Sequence, residues 1–327
     1  MSVLVTGGTG AIGSNVARAL HASGRDVVVF DRVPLTPAHG ILGKIDKGLS
    51  SEVGTVTDLA SLLAVVRKYN VDGIIHCAGM LPPHDNDTHP IEALNTNIIG
   101  TANILEIART LGTARVLTAS AAGVMGRPTD LVTPRKEEDI SLPLGGIYPL
   151  SKLACEQLVY AYRRLYKTNV TAFRPRNVYG PGANPRIQPL FEAFFAAVKG
   201  EDFVREAGGD STFDYTYIKD ITRGIVQLFE AESTPYHVYN ISRGRATSMS
   251  EAFDALARIF PHQQLRVGPG PWEGVVEGGK EFELTVHPAE MPPQDVSRAG
   301  KDFGYQPEWD IDRGLADWAR WYRTGEY

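Results

Sequence analysis

Two residues of this 327-residue chain have the types and the spacing to move a proton, Tyr148 and Lys152 in Tyr148-Pro149-Leu150-Ser151-Lys152. Four residues apart, they fall on one face of a helix about one turn from each other. A fixed ammonium beside a phenol favours the phenolate, so the tyrosine is expected to titrate below its ordinary value of about 10. A phenol tuned toward neutrality can take or return the proton of an alcohol while a hydride leaves or arrives. The spacing recurs by chance in many chains. Its meaning depends on whether the elements upstream build a site for a hydride carrier.

They have the pattern to do so. Ser2–Thr6 is a short β-branched run, Gly7-Gly8-Thr9-Gly10-Ala11-Ile12-Gly13 follows at once, and Asn15 to Ser23 places Val16, Ala19 and Leu20 at helical spacing. In this strand, glycine turn and helix, Gly7 permits the tight turn and Gly10 lets the backbone approach a pyrophosphate. Gly13 lets the helix pack close, with the helix N-terminus facing the anion. A second strand, Asp26 to Phe30, ends at Asp31, whose carboxylate suits a ribose 2′-hydroxyl and repels a 2′-phosphate. Arg32 beside it could pair with a phosphate, but the carboxylate is the stronger signal, and the expected cofactor is NAD. A strand and helix near Ser51 to Tyr69, a buried strand Asp72 to Ala78 running into Gly79, a long helix Ile91 to Leu111 and a strand Ala114 to Ser120 follow. Alternating elements with apolar strands predict an α/β fold, a doubly wound parallel Rossmann-type sheet.

Composition narrows the class. Of the residues 43% are hydrophobic and 22% charged, and the net charge is −5. That allows a large core, in two domains or one domain with a cap. Neither a nucleic-acid surface nor a membrane surface is indicated, and basic runs are lacking. Cys77 and Cys155 sit in apolar contexts and read as buried thiols of a reducing compartment. No stretch is long and apolar enough for a bilayer, and no basic segment precedes the first strand, so the expected location is cytoplasmic.

The combined motifs resemble the extended short-chain dehydrogenases/reductases, the group of NAD-dependent sugar epimerases and dehydratases. The likeness runs nearly end to end. It rests on Thr6 to Gly13, on His76-Cys77-Ala78-Gly79, on Asn97-Ile98-Ile99-Gly100-Thr101 and on Tyr148 with Ser151 and Lys152. Arg174-Pro175-Arg176-Asn177-Val178-Tyr179-Gly180, Asp214 to Asp220 and Gly304-Tyr305-Gln306-Pro307 extend it. The resemblance implies that Gly7, Gly10, Ala11, Ile12 and Gly13 hold the pyrophosphate, that Asp31 and Arg32 lie at the adenosine ribose, and that Ala78, Gly79 and Asn97 line the cofactor. It makes Tyr148 the general acid/base and Lys152 the nicotinamide-ribose ligand. Oxidised nicotinamide would add to the depression of the tyrosine pKa.

Departures from the family pattern are informative. Anchored on Val124 and Gly126, the usual catalytic hydroxyl falls on Ala121, with Ser120 and Thr118 close by. Either Ser120 takes over and polarises the substrate oxygen, or that donor is lost, which could cost around 10²-fold in rate. The acidic pair of the dehydratases is replaced by Ala122 and Gly123, which move no protons. Arginines that commonly pair with a substrate diphosphate are missing, since Phe213 takes one place and Glu290 to Gln294 contains none. This points away from a nucleotide sugar and toward a smaller hydroxylated compound. Met80, Ser120, Ala121 and Asn177 are expected on the substrate side, with Arg176 and Arg186 as candidate carboxylate ligands. His84, Asp85, Asp87 and His89 could suggest a metal, but a solvated loop explains them better and no metal is expected.

The expected division is a cofactor domain of residues 1–177 with 213–243 and a substrate-binding domain of residues 178–212 with 244–327. The helices from Ile91 and from Tyr148 carry apolar residues on several faces, among them Val159, Tyr160, Tyr162, Leu165 and Tyr166. Such faces are what family members use to form homodimers. The leading expectation is an NAD-dependent dehydrogenase or reductase of a small hydroxylated substrate. An epimerase working through a transient keto compound is the alternative, and a non-catalytic NAD sensor stands third.

Overall fold

The computed structural model describes residues 2–37, 39–43, 49–81, 89–112, 115–126, 128, 130, 132–141, 146–183, 188–272 and 292–327. Strands β1 (Ser2–Thr6), β2 (Asp26–Asp31), β3 (Leu49–Val53), β4 (Val71–His76), β5 (Arg115–Ala119) and β6 (Val170–Pro175) join a strand Val238–Ile241 in one parallel sheet. From one edge the order is Val238–Ile241, β6, β5, β4, β1, β2, β3. The chain thus winds outward in both directions from the β1–β4 junction. That junction is where a doubly wound sheet opens a crevice for ligands at the strand ends. Val3, Val5, Val28, Ile74, Ile75 and Leu117 are wholly buried, as strands covered on both faces must be.

Helices α1 (Ala11–Ala22) and, later in the chain, Ile218–Glu230 share one apolar layer with Val3, Val5, Val27, Val29 and Tyr239. Helices α2 (Leu59–Lys68), α4 (Gly100–Leu111) and α5 (Ile147–Tyr166) cover the other face through Leu62, Val66, Ile104, Leu105 and Val159. α1 starts at Ala11, four residues earlier than the apolar spacing predicts. Gly13 lies inside it because a close contact, not a chain break, requires that glycine. The helix expected from Ile91 to Leu111 is also changed. α3 (Pro90–Leu94) passes through a π-helical turn, Asn95–Ile99, before α4 begins.

A second core lies beyond β6. It contains Tyr179, Phe191, Phe194, Phe213, Tyr215, Tyr217, Phe253, Leu315 and Trp318. Helices Pro189–Lys199, Met249–Ile259 and Ile311–Thr324 supply most of it. Met249–Ile259 is started by a capping box, in which the Ser248 hydroxyl accepts from Glu251 N and Glu251 Oε2 accepts from Ser248 N. Trp318 is the centrepiece, stacked on Phe194 with centroids 3.6 Å apart and edge-on to Phe191 and Phe195. Most of the Pro269–Pro288 stretch, like the loop with His84, Asp85 and Asp87, lies outside the described residues. Trp318→Ala is expected to cost about 3–5 kcal/mol, the range for emptying a buried tryptophan site. Denaturant unfolding of both proteins measures it.

Candidate active site

The glycine turn is shaped by contacts that allow no side chain. Gly7 has a positive φ of 65°, and a Cβ there would sit 2.6 Å from Ala78 N. A Cβ on Gly13 would collide with the Gly7 carbonyl, so the helix can approach the turn only with glycine there. Gly10 caps α1 in an extended conformation with no side-chain cap, and the first turn of α1 holds no acidic residue. The N–H groups of Ala11, Ile12 and Gly13 therefore end a helix dipole with nothing anionic of their own, as a phosphate site requires.

Asp31 closes the turn from β2. Its carboxylate accepts from Thr9 N at 3.0 Å and Val33 N at 3.1 Å, which leaves lone pairs on both oxygens for a diol. Arg32 turns outward to Glu92 at 2.9 Å and is 59% exposed. His39 Nε2 lies 3.0 Å from the Thr9 carbonyl, so Thr9 is pinned from both sides.

Tyr148 and Lys152 sit in the first turns of α5, facing the end of β4. Lys152 Nζ is buried, 5.8 Å from the Tyr148 ring centroid, and donates to the Ala119 carbonyl at 2.9 Å. A Cβ on Gly79 would lie 3.1 Å from Lys152 Nζ and from Asn97 Oδ1, so glycine makes room for both. The expected lowering of the phenol is not produced by the lysine. Burial pushes Tyr148 up from its ordinary value, and burial also pulls Lys152 down. Burial is the first cause of the shift at both groups. Asn97, fully buried in the π-helical turn, accepts from Met80 N at 2.8 Å and donates to Ser151 Oγ at 2.9 Å.

Ser120 does not face this pair. Its hydroxyl donates to Glu156 Oε1 at 2.5 Å, in the interior behind α5. Glu156 also receives two bonds of 2.7 Å from Arg174, with both side chains 1% exposed. Of the two readings of Ser120, a substrate-polarising hydroxyl or a lost donor, this geometry favours the second, because a buried carboxylate accepts its proton. Ala121 is the residue before a short 3₁₀ turn, Ala122–Met125.

Of the candidate carboxylate ligands, Arg186 lies outside the described residues. Arg176 is buried, donates to the Pro292 carbonyl at 2.9 Å and feels the charge of Asp214. Asn177 holds a positive φ of 38°, uncommon for a residue with a side chain. Its Oδ1 accepts from Gln188 Nε2 at 2.6 Å, while its buried Nδ2 has no partner among the described residues. Phe213, where a diphosphate-binding arginine was sought, stacks on Tyr215 at 5.1 Å and is wholly buried.

Sequence reasoning missed Glu156, Arg174 and Gln188. A signal existed for the first two: Glu156 continues the i, i+4 series of Tyr148 and Lys152, and an arginine inside the apolar strand Val170–Pro175 demands a buried partner. No group of residues suited to a metal occurs among the described residues, and no described helix is long and apolar enough to cross a membrane.

The family described as the NAD dependent epimerase/dehydratase family matches residues 3–242. The chain belongs to it. A UDP-glucuronate 4-epimerase of Thermodesulfobacterium geofontis is 26% identical over 97% of this chain and 95% of its own. A UDP-glucose 4-epimerase of Mycolicibacterium smegmatis is 26% identical over 99% of each chain. Among solved structures, MoeE5 in complex with UDP-glucuronic acid and NAD is 26% identical, with a TM-score of 0.80 and all of both chains covered. The cofactor is NAD, which the open helix terminus, the glycine contacts and Asp31 fit. These relatives are named for nucleotide sugars, and this corrects the sequence-based exclusion of such substrates.

Ser120→Ala is expected to lower stability by only about 1 kcal/mol and to leave NAD affinity unchanged. Glu156→Ala strands the Arg174 cation in the interior and is expected to cost about 3–5 kcal/mol. Denaturation curves and NAD titrations of both variants measure these effects.

Proposed function

We propose that the protein is an NAD-dependent epimerase of a sugar substrate, working through a transient keto compound. The observation that carries this reading is the Tyr148–Lys152 pair set against Gly79 beside an intact glycine turn. Support for epimerisation over net oxidation comes from end-to-end similarity to 4-epimerases. Nucleotide sugars are the first substrates to test, ahead of free sugars and sugar acids.

In this reading residues 1–177 with 213–243 hold the cofactor, and residues 178–212 with 244–327 hold the substrate. The α1 terminus with Gly7, Gly10 and Gly13 would take the pyrophosphate, Asp31 the adenosine ribose and Lys152 the nicotinamide ribose. Bound NAD supplies a hydride acceptor and donor, and in its oxidised form a positive charge that opposes the upward push of burial on Tyr148. Tyr148 takes the hydroxyl proton as the alcohol becomes a ketone. After the keto compound turns over, Tyr148 returns the proton as the other face is reduced. Ala121 offers no hydroxyl, so Tyr148 carries the side-chain polarisation of the substrate oxygen that the family usually divides between two residues. Ala122 and Gly123 lack the acid and base that elimination needs, which argues against a dehydratase. Asn177, whose Nδ2 has no partner among the described residues, is assigned to the substrate side together with Met80.

The same reading includes a homodimer. Ile91, Ile99, Leu150, Leu165 and Tyr166 on α3, the π-turn and α5 are 47–69% exposed, and a second copy would cover them. Light scattering at micromolar concentration is expected to give twice the chain mass.

Incubation with UDP-glucose and UDP-glucuronate is expected to interconvert 4-epimers with no accumulation of NADH, and Tyr148→Phe to slow this by about 10²–10⁴-fold. Stoichiometric NADH from a sugar or hydroxy compound would establish a dehydrogenase instead. Product analysis and NADH absorbance decide between them.

A further inference from the structure

We propose that Thr101 and His76 are positioning residues for the reaction, locking the π-helical turn that carries Asn97 and, through it, the first turn of α5 that carries Tyr148. The inference rests on the proposed chemistry of Tyr148 and adds residues that none of the motif roles assigns to it.

The polarity of the line can be worked out bond by bond. Thr101 Oγ1 donates its single proton to the Asn97 carbonyl at 2.7 Å. It must therefore accept from His76 Nε2, 3.2 Å away. His76 Nδ1 is then the bare nitrogen and accepts from Thr6 Oγ1 at 2.6 Å. Burial, with Lys152 nearby, pushes His76 down to about 3, so this neutral tautomer is the form present near neutrality. All four residues are 2% exposed or less. One directed line thus runs from Thr6 on β1 through His76 on β4 to Thr101 and the Asn97 carbonyl.

From Asn97 the line reaches the reacting group. In a π-turn the regular i→i−4 ladder is interrupted, and such turns persist where something else holds them. Here the Asn97 carbonyl also accepts from Cys155 Sγ at 3.1 Å. The turn aims the Asn97 amide at two targets. Met80 is held through both its N–H (2.8 Å) and its carbonyl (3.3 Å), and Ser151 Oγ receives Nδ2 at 2.9 Å. Ser151 Oγ in turn donates to the Tyr148 carbonyl at 2.7 Å. The central strands are therefore connected, through hydrogen bonds and the Asn97 residue itself, to the peptide of the proton-transfer residue. An error of about 1 Å in such a group can cost about 10²-fold in rate.

Thr101→Val keeps the side-chain shape and removes the hydroxyl, while Thr101→Ser keeps the hydroxyl. The first test uses NAD-loaded full-length protein and amide hydrogen exchange in the first turn of α5, which requires no substrate. Thr101→Val is expected to speed exchange there about tenfold relative to the rest of the sheet domain, and Thr101→Ser to restore it. With the substrate found in the epimerisation assay, Thr101→Val is expected to lower kcat about 10- to 100-fold with KM within about twofold, again restored by serine. Unchanged exchange in α5, or a lowered melting temperature with kcat intact, would overturn the proposal. Should no substrate turn over in the parent protein, the epimerase reading fails, and the exchange measurement still decides this one.

Discussion

The buried pair between Glu156 and Arg174 is the interaction on which the site depends. Each charge lies on an element that has to be apolar to pack, α5 and β6, and neither can be buried alone. Their two bonds leave one relative setting of helix and strand. Tyr148, Lys152 and Glu156 follow at intervals of four on the same helix, so fixing the third fixes the face shown by the first two. The pair also draws in Ser120, just past the end of β5, and, through Arg174 Nη1, the Glu137 carbonyl at 2.9 Å. Ser120, one of the two readings of the missing family hydroxyl, is thereby bonded to this buried pair.

Close backbone approach does the corresponding task on the cofactor side. Gly7 meets Ala78, Gly13 meets Gly7, and Gly79 leaves space for Lys152. The start of α1 is also tied to residues distant in sequence, Pro181 and Tyr327. Asn15 donates to the Ala11 and Pro181 carbonyls and accepts from the Tyr327 hydroxyl. Arg18 and Lys219 lie over the Tyr327 ring, at 4.4 and 5.0 Å from its centroid. The helix that follows the glycine turn is thus held by groups from both ends of the sequence order, the Ala11 and Pro181 carbonyls and the Tyr327 hydroxyl among them.

Phe213 shows how a correct residue-level observation can be carried too far. It is an aromatic core residue, packed on Tyr215 and Trp272, and offers no cation. That describes one position. A substrate class depends on the whole pocket and not on the arginines missing at Phe213 and in Glu290 to Gln294. Arg176 illustrates the opposite limit: the sequence supplies a cation near the substrate end, while the fold buries it against the Pro292 carbonyl and near Asp214.

Much of the molecule was legible in the chain itself. The parallel sheet, the glycine turn, Asp31 and the Tyr148–Lys152 spacing are local patterns, set by periodicity and by backbone sterics over a few residues, and they appear where the residues predicted. What escaped was decided by contacts between distant segments. The sequence cannot tell that Ser120 turns toward Glu156 across 36 positions, or that a π-turn splits the helix after Ile91. Nor can it set the balance at Tyr148, where the spacing promises a nearby charge but burial raises the phenol. Spacing along a helix sets which side chains can meet. Only packing determines how much water they lose, and burial is the first cause of the shift at both Tyr148 and Lys152.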